Sequence, residues 1–373
     1  MIYLDTAASY PLLPEVKETL IKEFENHYAN SAASHYLGEE VNKSINRVRE
    51  MLADEIGAFP SEIVFTSGAT ESNNLAIKGA LLSKDPKLKS KKHIVTSAIE
   101  HKCNLAICNY MESLGFEVTY LMPNKNGLIT AESVKGALRV DTALVSIMHA
   151  NNELGTLNPI KEIGQVCFEN DVLFHCDAAQ SLCKTEIDVD NFNVDFMSFS
   201  AHKIAGPKGI GALYIRDLRE REIEPVIHGA GQEQGVRGGT VASPLIAAFG
   251  TAIELFPLRY KEFSKTKALE FFKESLQATG ITYSENGHGE KLSHCCSFTF
   301  HDVKVTKLIR ENDEKIAFAQ GSACSSKEIQ ASHVLTALGF SREEAEKTFR
   351  ISFPLDISHE QISFVVNAIK KAT

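Results

Sequence analysis

From residue 62 onward, short apolar runs alternate with longer stretches whose apolar positions recur every three or four residues. The short runs, at 62–65, 93–97, 117–121, 142–149 and 172–177, have the β-branched and aromatic content of buried strands. The longer stretches, at 71–82, 104–114, 131–138 and 160–170, have the helical period. Two more helical patterns, 15–28 and 38–56, precede them, the second closing at Gly57. Strands separated by helices predict a mostly parallel α/β sheet. Beyond Ile215 the rhythm changes. A glycine-rich stretch at 228–239 leads into a helix over 244–255, and from about Tyr260 helices mix with short strands such as 297–300. That change predicts a second, smaller α+β unit. The chain has no internal repeat and no low-complexity tract.

In an open parallel sheet, ligands collect beyond the carboxyl ends of the strands. The run Val172-Leu173-Phe174-His175-Cys176 delivers Asp177 at such an end, and the run 194–200 delivers Ala201-His202-Lys203. A lysine and an aspartate so placed are parts of a pyridoxal 5'-phosphate (PLP) site. The amine forms a Schiff base with the cofactor aldehyde, and the carboxylate keeps the ring nitrogen protonated, so that the ring withdraws electrons. A surface lysine and a strand-end aspartate are the plain alternative.

Other strand ends carry signals of the same kind. Thr66-Ser67-Gly68-Ala69-Thr70 precedes a helix, whose first N–H groups and positive dipole end can seat a phosphate, although such residues also make ordinary helix caps. Neither this segment nor 206–211 has the pattern of a nucleotide-binding loop, which favours a lone phosphate. His101, Asn151-Asn152-Glu153 and Gln180 each follow a strand, and each fits either a ligand contact or a turn. Cys324 lies in Ala319-Gln320-Gly321-Ser322-Ala323-Cys324-Ser325-Ser326, where small polar neighbours leave a thiol accessible for reaction.

Composition removes several function classes. The 373 residues suffice for two units and a sizeable core, and 43% hydrophobic with 23% charged residues is ordinary for a globular chain. A net charge of −9 gives no general footprint for nucleic acid or anionic membrane, so no direct nucleic-acid binding is expected. The one dense basic cluster, Lys84, Lys87, Lys89, Lys91 and Lys92, reads as a solvated loop. The start Met-Ile-Tyr-Leu-Asp has no signal-peptide pattern, and the longest apolar stretch, around 244–256, is too short and too interrupted to span a bilayer. Eight cysteines without paired C-x-x-C spacing predict reduced thiols, no metal site and a cytoplasmic protein.

The segments 66–74 (T-S-G-A-T-E-S-N-N), 100–102 (E-H-K), 149–155 (H-A-N-N-E-L-G), 177–181 (D-A-A-Q-S), 198–211 (S-F-S-A-H-K-I-A-G-P-K-G-I-G) and 321–325 (G-S-A-C-S) together resemble the cysteine desulfurases of the NifS/IscS group, class-V aminotransferase-like PLP enzymes. They stand in that family's order and spacing, over nearly the whole chain. The resemblance implies the aspartate aminotransferase-like fold of PLP-dependent transferases. A large domain at 12–258 would hold a mostly parallel seven-stranded sheet. Residues 1–11 and 259–373 would form a smaller α+β domain carrying a catalytic cysteine loop at about 319–333. It also implies a homodimer with its sites near the subunit interface.

Carried over by position, the resemblance makes Lys203 the PLP lysine, Asp177 the partner of the ring nitrogen and Gln180 that of the ring phenolate oxygen, with His101 stacked on the ring. Ala69, Thr70, Ser200 and His202 would hold the phosphate, with Thr240 reaching across from the other subunit. Asn152 and Arg350 would hold the carboxylate of L-cysteine, and Cys324 would accept its sulfur as a persulfide, leaving L-alanine. The sulfur would pass to a protein acceptor serving iron–sulfur assembly, tRNA thiolation or DNA phosphorothioation.

The chain departs from the pattern in places. Gln234 and Gly238 replace an arginine and a serine of the glycine-rich segment, and Pro354-Leu355 replaces a Gly-Arg pair. The sequence ends about 23 residues after Arg350, short of the tail by which relatives dock an iron–sulfur scaffold, so a dedicated acceptor is expected. A selenocysteine lyase on the same fold, and a catalytically inactive sulfur-relay or scaffold subunit, are the competing readings.

Overall fold

The computed structural model describes residues 1–320, 322–323 and 330–373, apart from the side chains of 306, 320, 322–323 and 330–331. Cys324 and the rest of 324–329 lie outside the described residues. The strands in chain order are β1 (Ile2–Leu4), β2 (Ile63–Thr66), β3 (His93–Ser97), β4 (Glu117–Leu121), β5 (Thr142–Ser146), β6 (Leu173–Asp177), β7 (Phe196–Ser200) and β8 (Gly211–Ile215). They continue with β9 (Tyr283–Asn286), β10 (Cys295–Phe300), β11 (Ile316–Gln320), β12 (Ser322–Ala323), β13 (Gln330–Ala331) and β14 (Thr348–Ser352).

Seven strands form one sheet in the order β2-β8-β7-β6-β5-β3-β4. The four pairings from β4 across to β7 are parallel, whereas β8 runs antiparallel to both β7 and β2. The helices that connect these strands are α1 (Pro14–Asn26), α2 (Tyr36–Ile56), α3 (Ala69–Leu81), α4 (Lys102–Ser113), α5 (Ala131–Ala137), α6 (Ile160–Glu169) and α7 (Ser243–Lys265). Helices on both faces leave no residue of β5, β7 or β8 exposed, which is why those strands read as unbroken apolar runs rather than alternating ones. Consecutive parallel strands put the ends of β3, β5, β6 and β7 on one edge, and the polar signals of the sequence fall there.

The second sheet has the order β1-β11-β14-β10-β9, so the first residues of the chain complete a sheet built from its last hundred. Around it lie α8 (Ala268–Ala278), α9 (Val305–Asn312), α11 (Arg342–Glu346) and α12 (His359–Lys371), whereas α10 (His333–Ala337) packs Val334 against Ile99 and Leu154 beside the larger sheet. β12 pairs antiparallel with β13. Most helix and strand ends fall within about two residues of the sequence expectation. The helix expected over 244–255 is longer: α7 runs through Pro257 to Lys265, and residue 258 lies inside it. The lost N–H of Pro257 is outweighed because Phe256, Tyr260 and Phe263 extend the buried face past the proline. Among the described residues, no helix is long and apolar enough to cross a membrane. Nor does any cluster of three or more His, Cys, Asp or Glu among them suit a metal ion.

Candidate active site

β6 and β7 lie side by side, with Asp177 paired to Ser198 in register. After Ser200, a single 3-10 turn (Ala201–Ile204) brings His202 and Lys203 over the sheet edge and ends with Ala205 at a φ of 58°. On the far side of β8, β2 ends at Thr66 and α3 starts at Ala69, with Gly68 at a φ of 147° between them. The backbone there runs close to β8: a Cβ on Gly211 would sit 2.6 Å from the Gly68 Cα, so position 211 tolerates no side chain, while the positive φ at Gly68 favours glycine there. The first N–H groups of α3 thereby face the same space as Ser200 and His202.

These ends surround a cavity of about 540 Å³, and ten of the twelve sequence-predicted site residues line it: Ala69, Thr70, His101, Asn152, Asp177, Gln180, Ser200, His202, Lys203 and Arg350. Thr240 is not among the lining residues and is exposed in the single chain. Cys324 lies outside the described residues.

The lysine and aspartate are held differently. The Lys203 amine donates to the carbonyls of Ala7 and Ala8, both at 2.8 Å, so the start of the chain forms one wall. Burial, with the nearby Arg350 charge, lowers its pKa to about 8 against the pull of Asp177. Asp177 accepts from Asn73 Nδ2 at 2.8 Å and from the Ala179 N–H at 3.0 Å, which fixes the carboxylate at the foot of the cavity.

His101 caps α4: its Nδ1 accepts from the Cys103 N–H at 3.2 Å, and the other ring nitrogen has no hydrogen-bond partner among the described residues. Partial burial, and then the charge of Lys203, lower the pKa of the ring against the pull of Asp177, which favours its neutral form. His202 donates to or accepts from Ser9 Oγ at 3.2 Å through Nδ1, and burial with the surrounding lysines pushes its pKa down to about 4. Arg350 donates to the Asn152 carbonyl at 2.7 Å and to Asp5 Oδ1 at 2.5 Å, while its Nε is buried with no partner among the described residues. Gln180 donates to the Ala7 carbonyl at 2.7 Å, and its Oε1 is also buried with no partner among the described residues.

These features fit PLP. A buried amine of lowered pKa, a fixed carboxylate, a helix start for the phosphate and two orphaned polar atoms on the walls answer the polar groups of such a cofactor. The class-V aminotransferase family model matches residues 2–365. A mitochondrial cysteine desulfurase of Candida albicans is 41% identical over 381 residues, spanning 99% of this chain and 76% of that protein. The cysteine desulfurase IscS of Dictyoglomus turgidum is 39% identical over 374 residues, spanning 99% of this chain and 94% of its own. The solved structure described as SspA in complex with cysteine superposes with a TM-score of 0.86 at 47% identity, covering 95% of this chain and 99% of that one. The chain belongs to the cysteine desulfurases of the class-V aminotransferase family, which use PLP.

Several residues of this desulfurase site escape the motif reading. Asn73, which holds Asp177, sits one turn into α3 within the 66–74 segment. Asp5, Ala7 and Ala8 follow the short strand β1, a strand-end signal like the others but at the chain's start. Cys103 is the one cysteine among the cavity-lining residues; burial, and then Asp177, push its thiol up to about 11. Glu100, fully buried before His101, accepts from the Met148 N–H at 2.8 Å and from Asn104 Nδ2 at 3.1 Å, and so ties the His101 turn to the end of β5.

Proposed function

We propose that this desulfurase takes L-cysteine in the cavity, releases L-alanine and keeps the sulfur as a persulfide on Cys324. The observation that carries the reading is the convergence of Lys203, Asp177, His101 and Arg350 on one cavity. Bound PLP supplies an electron sink for the carbanion formed at the substrate α-carbon. Arg350 and Asn152 orient the substrate carboxylate, a task suited to a guanidinium. Lys203, once its amine is free, takes the α-proton, and a pKa near 8 suits that base to neutral pH. Asp177 holds the ring nitrogen protonated, and Gln180 and His101 fix the ring.

The balance is simple. The substrate C–S bond breaks, an S–S bond forms at the Cys324 sulfur, and the substrate β-carbon gains a proton. The half-buried Cys103 thiol, with its raised pKa, is a poor acceptor by comparison.

Thr240 is exposed and does not line the cavity of its own chain, which leaves it available to the phosphate of a second copy in a homodimer. Exposed Phe24, Tyr28, Tyr36 and Leu37, between the end of α1 and the start of α2, offer apolar surface for such a contact. The two sheets support a division into 12–258 and 1–11 with 259–373, bridged by α7. The seven described cysteines are all free, in keeping with a reducing, cytoplasmic setting. Incubation with L-cysteine tests the function: one alanine should form for each sulfur bound to the enzyme or released from it.

A further inference from the structure

Two ion pairs hold the 228–240 segment against the body of the chain, and one of them reaches a residue that lines the cofactor cavity. Glu233 binds both arms of Arg49, at 2.8 and 2.9 Å, and also accepts from the Phe65 N–H at 2.7 Å, next to the end of β2. Arg237 donates through Nε to Glu71 Oε1 at 2.8 Å and through a second nitrogen to Oε2 at 3.4 Å. Glu71 Oε2 in turn accepts from the Ser67 N–H at 2.7 Å.

Glu71 is the third residue of α3 and lines the cavity, so a carboxylate stands beside the seat that the helix start provides for a phosphate. Burial pushes its pKa up, but the bonds from Arg237 and Ser67 outweigh this and hold it down, so it is charged. Its side chain is 10% exposed and that of Arg237 is 20% exposed, so water screens neither charge well. An unpaired anion in that place would repel a phosphate dianion.

We propose that Arg237 is a positioning residue for the cofactor phosphate: it cancels the Glu71 carboxylate and lets Glu71 brace the Ser67–Thr70 turn without repelling the anion. The proposal rests on the PLP reading above.

Equilibrium dialysis of the full chain against PLP, and separately against pyridoxal, which lacks the phosphate, tests this. Arg237→Gln should raise the PLP dissociation constant on the order of tenfold and leave that of pyridoxal within about twofold. Adding Glu71→Gln should restore most of the PLP affinity, because no charge is left to cancel. Equal losses for PLP and pyridoxal, unchanged PLP binding in a folded Arg237→Gln protein, or no rescue by Glu71→Gln would each overturn the proposal. A wild-type chain that binds PLP no better than pyridoxal would instead overturn the assignment of the phosphate seat itself.

Discussion

Asn73 Nδ2 lies 2.8 Å from Asp177 Oδ2, so α3, which offers its start to a phosphate, also holds the carboxylate meant for the ring nitrogen. In the function proposed above, one helix would set both ends of the cofactor. Asp177→Asn keeps the shape of the side chain but removes its charge and turns one acceptor oxygen into a donor. The folded, PLP-loaded variant should lose on the order of 10² or more in the rate of α-proton exchange with solvent. Near-wild-type exchange would remove Asp177 from the ring-nitrogen role.

The lowered pKa of Lys203 makes a pH prediction with a definite sign. Only the neutral amine condenses with an aldehyde, and neutral amine accumulates above the pKa. With a pKa of about 8, half of the Lys203 side chains are neutral at that pH. An unperturbed lysine would be neutral in only about one chain in 300 there. Capture of PLP by the cofactor-free protein should accelerate from pH 6 and level off above pH 8 to 9. A rate still climbing steeply at pH 10 would mean that the amine is not depressed.

Cys324→Ser should divide the reaction. The proton chemistry at Lys203 needs no thiol, so L-cysteine should still perturb the absorbance of bound cofactor, while alanine release collapses. Peptide mapping of the wild-type protein after brief exposure to L-cysteine should place the added sulfur on Cys324. Cys103 is the competitor to exclude, since it lines the cavity. Added sulfur found mainly on Cys103 would contradict the assignment.

The sequence makes the larger sheet legible because its strands are buried on both faces and separated by amphipathic helices, so period and composition agree. It makes Lys203 and Asp177 legible because each follows an apolar run directly. Asn73 and Asp5 are harder to see: each acts on a partner more than a hundred residues away, Asp177 and Arg350, and no local pattern records such a pairing. The length of α7 is missed for a related reason. Pro257 is a local stop signal, and it is overridden by burial of Phe256, Tyr260 and Phe263 against other parts of the fold. The placement of Arg237 beside Glu71 is of the same kind, 166 residues apart in sequence.

The central claim is that Lys203 carries the chemistry of an L-cysteine desulfurase, and one assay addresses it most directly. Alanine formation from L-cysteine is measured side by side for the wild-type protein and Lys203→Ala, both supplied with PLP and a thiol reductant. The wild type should form alanine and sulfide in equal amounts, and the folded Lys203→Ala variant should fall by about 10³ or more. Alanine formation by Lys203→Ala at a rate close to wild type would contradict the account.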